Sequence, residues 1–268
     1  MFNLFKPRGP QLGLIAPDEH APQEQGKKDW DFDKLALGEA LTDSGDLGRY
    51  VVTVLDQSNT QSCVAQAWEQ AIRMERKRLG YPVLLGSRLF GYSNARAAHL
   101  MSNVDGGTFL RTYAWALKKV GNCPEAVWPF VTSRVNKPPP PDAFRQAWAL
   151  RGVRGYFRIY DTGAARGAAV RAALAASKPV VFGTQVTKSF LSHEGPIIVG
   201  KPGEKDTLAG GHAMVIVGYE KHPKTGEWIY RIVNSWGPRW RDSGYAHITE
   251  EYLQWTRTQD LWVVSLVQ

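Results

Sequence analysis

One of the two cysteines in the chain, Cys63, stands in the stretch DQSNTQSCVAQAW, residues 56–68. Three chemistries are open to it: a small buried hydrophobe, half of a disulfide, or a nucleophile. A thiol attacks a carbonyl carbon well only as its thiolate, and a helix amino terminus and a nearby imidazolium are the usual means of lowering its pKa. In SCVAQAWEQAIRMERKRLG the apolar residues Val64, Ala67, Trp68 and Ile72 recur at helical spacing and Gly80 supplies a stop. Cys63 is therefore expected at the start of a helix, with Ser62 available as its cap. An imidazole is offered by LAGGHAMVIVGYE, where His212 follows Gly210 and Gly211 and opens a strand, a rigid support for a ring. The ring needs a partner on its other nitrogen. Asn234, at the end of the next strand in YRIVNSWGPRWRDSGYAHI, carries an amide that would orient it without adding charge, and Trp236 would cover that bond from water. Gln57 lies six residues before Cys63, and its side-chain amide, with the backbone N–H of Cys63, would stabilise an oxyanion formed by thiolate attack.

These groups need elements to hold them. With 268 residues, 43% of them hydrophobic, and ten each of Trp, Tyr and Phe, the chain can bury a large core as one domain or two intimately packed lobes. Residues 1–48 are rich in Pro, Gly and charge, with one short helix expected in DFDKLALGEAL, residues 31–41; they form an extension on a domain spanning residues 49–268. After the helix at Cys63, SRLFGYSNARAAHLM and GTFLRTYAWALKKVG read as two more helices, followed by a loop at NCPEAVWPF. Four consecutive prolines, residues 138–141, mark an extended crossing. Beyond them AAVRAALAASKP reads as a helix, and VVFGTQV, HAMVIVGYE, EWIYRIVNSW, YAHIT and LWVVSLV read as strands. A helical first half and a strand-rich second half describe an α+β protein of two lobes, with the reactive groups at their seam.

The formal net charge of +8 is spread along the chain with acids between the basic residues, and the longest basic run is RKR, so a nucleic-acid partner is not expected. No apolar run approaches the roughly 20 residues of a membrane helix, and the broken amino-terminal stretch lacks a signal-peptide core, so the chain reads as soluble, cytoplasmic or part of a delivered or virion assembly. His20, His99, His193, His222 and His247 have no ligand spacing with cysteine or acid, so neither a metal nor another cofactor is expected. Trp115, Trp128, Trp148 and Trp262 read as packing residues of the core or lobe interface.

Together Gln57, Cys63, His212 and Asn234 resemble the papain-like cysteine peptidases, in order and in local setting. DQSNTQSCVAQAW resembles that family's Gln-to-Cys segment, GGHAMVIVGYE its histidine strand and NSWGPRWRDSGY its asparagine segment, while CPEAVWPF and KPVVFGTQVTKSF look most like its bacterial members. DGGT resembles the glycine pair whose backbone binds extended substrate, which falls on Gly106 and Gly107. The resemblance covers residues 46–268 and implies a helical left lobe, an antiparallel β-barrel-like right lobe, and a cleft with Cys63 on one wall and His212 on the other. It further implies peptide-bond hydrolysis of a polypeptide substrate through a thioester. Cys63 would attack, His212 would act as acid and base, Asn234 would orient His212, and Gln57 would polarise the carbonyl. Ala213 and Trp236, beside the histidine and asparagine, are expected to line the substrate site with Gln61.

Three departures stand out. Thr60 replaces the family's half-cystine three residues before the nucleophile, so that disulfide is absent and Cys123 is expected to be a free buried thiol. Val64 replaces the aromatic residue after the nucleophile. Gln61 replaces a cleft-lining glycine, which suggests a preference for small residues on the acyl side of the cut. Residues 1–48 do not resemble the family's long inhibitory propeptide; this extension either has no inhibitory role, docks a partner, or partly occupies the cleft, in which case its removal raises activity. Besides hydrolysis, two other roles are compatible with the residues: acyl transfer to an amine, and a structural part of a larger assembly.

Overall fold

The computed structural model describes residues 11–15, 30–31, 42–149 and 152–266; most of the helix expected at residues 31–41 lies outside them. The first lobe is built on α1 (Cys63–Arg78), a helix buried on nearly every side from Cys63 to Ala71. A helix buried around most of its circumference must be wrapped by other elements. Here α2 (Arg88–Ala97) and α3 (Leu110–Lys119) pack on one side of it and the sheet on the other. Trp68 is fully buried, and its indole N–H donates to the Leu110 carbonyl at 3.0 Å, fixing α1 against α3. After the cap residue Leu79, Gly80 at φ +72° supplies the left-handed turn that ends α1.

Two local expectations are corrected. Ser62 does not cap α1 with its side chain. Its hydroxyl is engaged by Thr60 Oγ1 at 2.7 Å and Gln66 Nε2 at 3.1 Å, and this buried network outcompetes the cap. The proline tract is not extended throughout, because its last residue opens α4 (Pro141–Ala149). Proline is well suited to a first helical position, where its missing N–H has no partner to lose. Trp148, expected to pack, is exposed on α4, whereas Trp262 is buried.

Among the described residues the second lobe is a mixed sheet of nine strands: β1 (Trp30–Asp31), β2 (Gly45–Asp46), β3 (Val153–Ile159), β4 (Val180–Thr187), β5 (Ile198–Val199), β6 (Leu208–Lys221), β7 (Trp228–Val233), β8 (Tyr245–Thr249) and β9 (Thr258–Leu266). Its order is β1-β3-β9-β4-β6-β7-β8-β5, with β2 on the edge of β6; the path is open, so the barrel-like lobe does not close. Most pairings are antiparallel, β1–β3 and β5–β8 being parallel. Strand β3 was hidden in the sequence by Gly155, Arg154 and Arg158, although Phe157 and Ile159 are buried at a two-residue spacing. The central strand β6 is buried without a break from His212 to Tyr219, because helices cover it on both faces: α1 on one side, and on the other α5 (Gly163–Ala175). A short α6 (Glu250–Gln254) follows β8.

One core runs through both lobes, joining Trp68, Leu110 and Tyr113 of the helices to Phe182, Ile216, Ile232 and Trp262 of the sheet. Cys123 sits apart, with Phe90, Ala143 and Ala147, and both thiols are free. Among the described residues no helix is long and apolar enough to cross a membrane.

Candidate active site

Cys63 is the first residue of α1 and is fully buried. Backbone groups of Ala213 and Gly13 hydrogen-bond its thiol, so the sulfur lies against the residue next to His212. Strand β6 presents His212 opposite Thr184 of β4, and Ala213 opposite Gly183. Asn234 follows the last residue of β7, where its N–H donates to the Gly244 carbonyl at 3.0 Å. The antiparallel pairing of β6 and β7 brings His212 Nε2 to 2.7 Å from Asn234 Oδ1. That carbonyl oxygen also accepts the Ser235 N–H at 2.7 Å. It is therefore an acceptor, so Nε2 carries the proton and Nδ1 is the basic nitrogen; among the described residues Nδ1 has no partner. Trp236 stacks on the imidazole with ring centroids 4.5 Å apart and planes at 26°, and Phe190 and Trp240 back it.

Gln57 is fully buried and tied to both lobes. Its Oε1 accepts the Ser235 hydroxyl at 2.7 Å, and its backbone N–H donates to the Ser235 carbonyl at 2.8 Å. Those bonds turn its Nε2 towards the cleft, where it donates to the carbonyls of Thr60 and of Gln11, both at 2.9 Å. Ser235, beside Asn234 in the sequence, thus fixes the orientation of the Gln57 amide.

Residues 11–15 run through the cleft as an arm. The Gly13 carbonyl accepts the Thr108 N–H at 2.9 Å, the Leu14 N–H donates to the Gly211 carbonyl at 3.1 Å, and the Ile15 N–H donates to the Thr108 carbonyl at 3.1 Å. Leu14 pairs with Thr108 in parallel sense, and its side chain packs beside Gly183 and is half-buried. The backbone that pairs with the arm is thus that of Thr108, one residue beyond the glycine pair. Gly107, at φ +83°, gives its N–H to the Tyr92 hydroxyl at 2.9 Å, and a Cβ on it would meet the Gly13 carbonyl oxygen at 2.2 Å. A Cβ on Gly106 would meet the Val104 side chain, at 3.6 Å. Gln61 faces Gly13 with its own carbonyl and Cβ, so closely that a Cβ on Gly13 would lie 1.8 Å from the Gln61 oxygen.

Burial favours the neutral form of both Cys63 and His212. Burial pushes the Cys63 thiol up to about 11, against backbone hydrogen bonds from Ala213, Gly13 and the helix start. Burial pushes His212 down to about 4, with the Asn234 bond opposing it.

The chain matches the family model of papain family cysteine proteases over residues 41–260. It is 30% identical over 221 residues, 80% of its own length and 70% of the relative's, to an uncharacterised peptidase C1-like protein of Acanthamoeba polyphaga mimivirus. Among solved structures it resembles xylellain, a cysteine protease from Xylella fastidiosa, at 29% identity and a TM-score of 0.81, with 99% of each chain covered. Bromelain from Ananas comosus shares the fold, with 17% identity, 84% of this chain and 100% of that one covered, and a TM-score of 0.65. The chain belongs to the papain family of cysteine proteases and is a cysteine-type peptidase of two-lobed α+β fold.

Proposed function

We propose that Cys63, His212, Asn234 and Gln57 hydrolyse peptide bonds through a thioester on Cys63, and that residues 11–15 hold the enzyme in a closed, inhibited state. The observation that carries this reading is the occupant of the cleft: an extended stretch of polypeptide lies across the thiol, bonded through its backbone, with a carbonyl on Gln57 Nε2. A cleft that grips main chain in this way suits a polypeptide substrate. In the reaction His212 Nδ1 takes the thiol proton, the sulfur attacks the scissile carbonyl, and the oxyanion is held by Gln57 Nε2 and the Cys63 N–H. The same nitrogen passes its proton to the leaving amine, and the thioester is released by water that His212 deprotonates. Residues 1–48 then form a regulatory extension and residues 49–268 the peptidase domain. The Gln61 wall against Gly13 supports a preference for small residues on the acyl side of the cut.

The thioester is the test. Acid quenching of a reaction with a peptide ester should leave acyl mass on the tryptic peptide that carries Cys63 and none on that of Cys123. A chain that turns substrate over without acyl mass at Cys63 contradicts the mechanism. Adding an amine to the same reaction reveals whether acyl transfer competes with water.

A further inference from the structure

The slot through which the arm passes has two walls from distant parts of the chain, the Gln61 backbone just before α1 and the Gly107–Thr108 backbone just before α3. No disulfide joins them, since both thiols are free. They are instead joined by a bridge of two side chains. Both oxygens of the Asp105 carboxylate accept the Gln61 N–H, at 3.0 and 3.1 Å, and one of them also accepts the Tyr92 hydroxyl at 2.8 Å. Because the Tyr92 proton is committed to that carboxylate, its oxygen is left to accept, and it takes the Gly107 N–H at 2.9 Å. The chain of bonds runs without a gap from one wall to the other, and bonds to a carboxylate are the stronger kind.

The bridge is itself held. Tyr92 is fully buried on α2, and Arg96, one turn later and also fully buried, lies over its ring at 4.1 Å. The Arg96 guanidinium donates to the carbonyls of Val104 and Val135 and, at 3.1 Å, to Asn136 Oδ1, so the residue before Asp105 is pinned from beneath.

We propose that Tyr92 and Asp105 are positioning residues that set the width of the substrate slot, holding Gln61 and Gly107 at the spacing that admits bare backbone at the thiol. The proposal rests on the peptidase reading for its consequence on substrates, but the arm occupies the same slot and reports on it without any catalysis. Neither residue touches Cys63, His212, Asn234 or Gln57 through any of these bonds, so the effect belongs to binding rather than to the chemical step.

Two measurements on the full-length chain decide it. Tyr92→Phe keeps the ring under Arg96 and removes only the oxygen. Iodoacetamide should then label Cys63 about tenfold faster, because the slot grips the arm less well, while Cys123, buried in a separate cluster, labels at the native rate. In a chain that also carries Gly13→Val, so that the arm is displaced, Tyr92→Phe should raise KM for a small-residue peptide about tenfold and leave kcat within about twofold. Asp105→Asn, which keeps an acceptor oxygen, should fall between the native chain and Asp105→Ala in both. Parallel acceleration of both cysteines, or a fall in kcat at constant KM, overturns the proposal, since a merely structural role would loosen the whole lobe. If the Gly13→Val chain hydrolyses no peptide, the peptidase reading fails, and the ratio of labelling at the two cysteines still decides the slot.

Discussion

Replacing Gly13 with valine should release the enzyme from its own arm, raising the initial rate of peptide hydrolysis by the full-length chain about ten- to a hundredfold. The argument is steric. A Cβ at Gly13 would meet the Gln61 oxygen at 1.8 Å, its carbonyl carbon at 2.4 Å and its Cβ at 2.7 Å. None of these is the yielding end of a long side chain. The segment that carries them is fastened by the bonds of Gln57, Thr60 and Asp105, so the arm rather than the wall must move. Overpacking of this kind costs about 1–3 kcal/mol, and each 1.4 kcal/mol is a factor of ten in the balance between closed and open. Against it stand three main-chain bonds and the Gln57 contact, each contributing about 0.5–1.5 kcal/mol, with the half-buried Leu14. These terms are comparable, so one side chain suffices to shift the population. The rates of native and variant chains, measured at one pH before any processing of the amino terminus, check this. Equal rates would mean that the arm does not limit access.

Removing the nucleophile has the opposite and larger effect. Cys63→Ala should lower hydrolysis by about 10⁴-fold or more, because without a covalent step the surviving oxyanion donors and substrate contacts leave only a residual of about 10³–10⁴ over the uncatalysed reaction. The arm should still close over the variant, since its main-chain bonds to Thr108 and Gly211 and the Gln11 carbonyl on Gln57 remain. Cys123→Ala is the matching control: that thiol packs with Phe90, Ala143 and Ala147 away from the cleft. It should turn over substrate as the native chain does and lose about 1 kcal/mol of stability from the small cavity it leaves. Progress curves and thermal unfolding of the two variants give the comparison. If the fold served only as a scaffold, both alanine variants would behave alike in its assembly.

The placement of Cys63, His212 and Asn234 was legible in the sequence because each is held by an element that announces itself locally. The start of α1 follows from the spacing of Val64, Ala67, Trp68 and Ile72, and the supports of His212 and Asn234 are two adjacent strands whose pairing in one antiparallel ladder sets their distance. What was not legible depends on the path of the chain through space. Nothing in the local composition of residues 11–15 says that Gly13 meets Gln61 or that Gln11 reaches Gln57, although a lone glycine between two leucines is the pattern a narrow apolar slot requires. Tyr92 reads as a core residue of a helix and Asp105 as a turn former, and only their meeting across α2 and the glycine loop gives them a second task. Ser62 illustrates a different limit: its residue type favours a cap, and a buried partner on either side changes the outcome. Strand β3, with Gly155 and two arginines, lacked the apolar run that marked its neighbours and formed because β9 offered it an edge.

The central claim is that a reactive thiol lies beneath the arm, and the most direct measurement is the rate of iodoacetamide alkylation at Cys63 and Cys123, resolved by peptide mapping at mildly acidic pH. In the native chain both thiols should label slowly, since burial holds Cys63 protonated under the arm and holds Cys123 protonated in its own cluster, each pushed up to about 11. In the Gly13→Val chain Cys63 should label at least tenfold faster while Cys123 does not change. Slow and equal labelling at both positions in both chains would contradict the account.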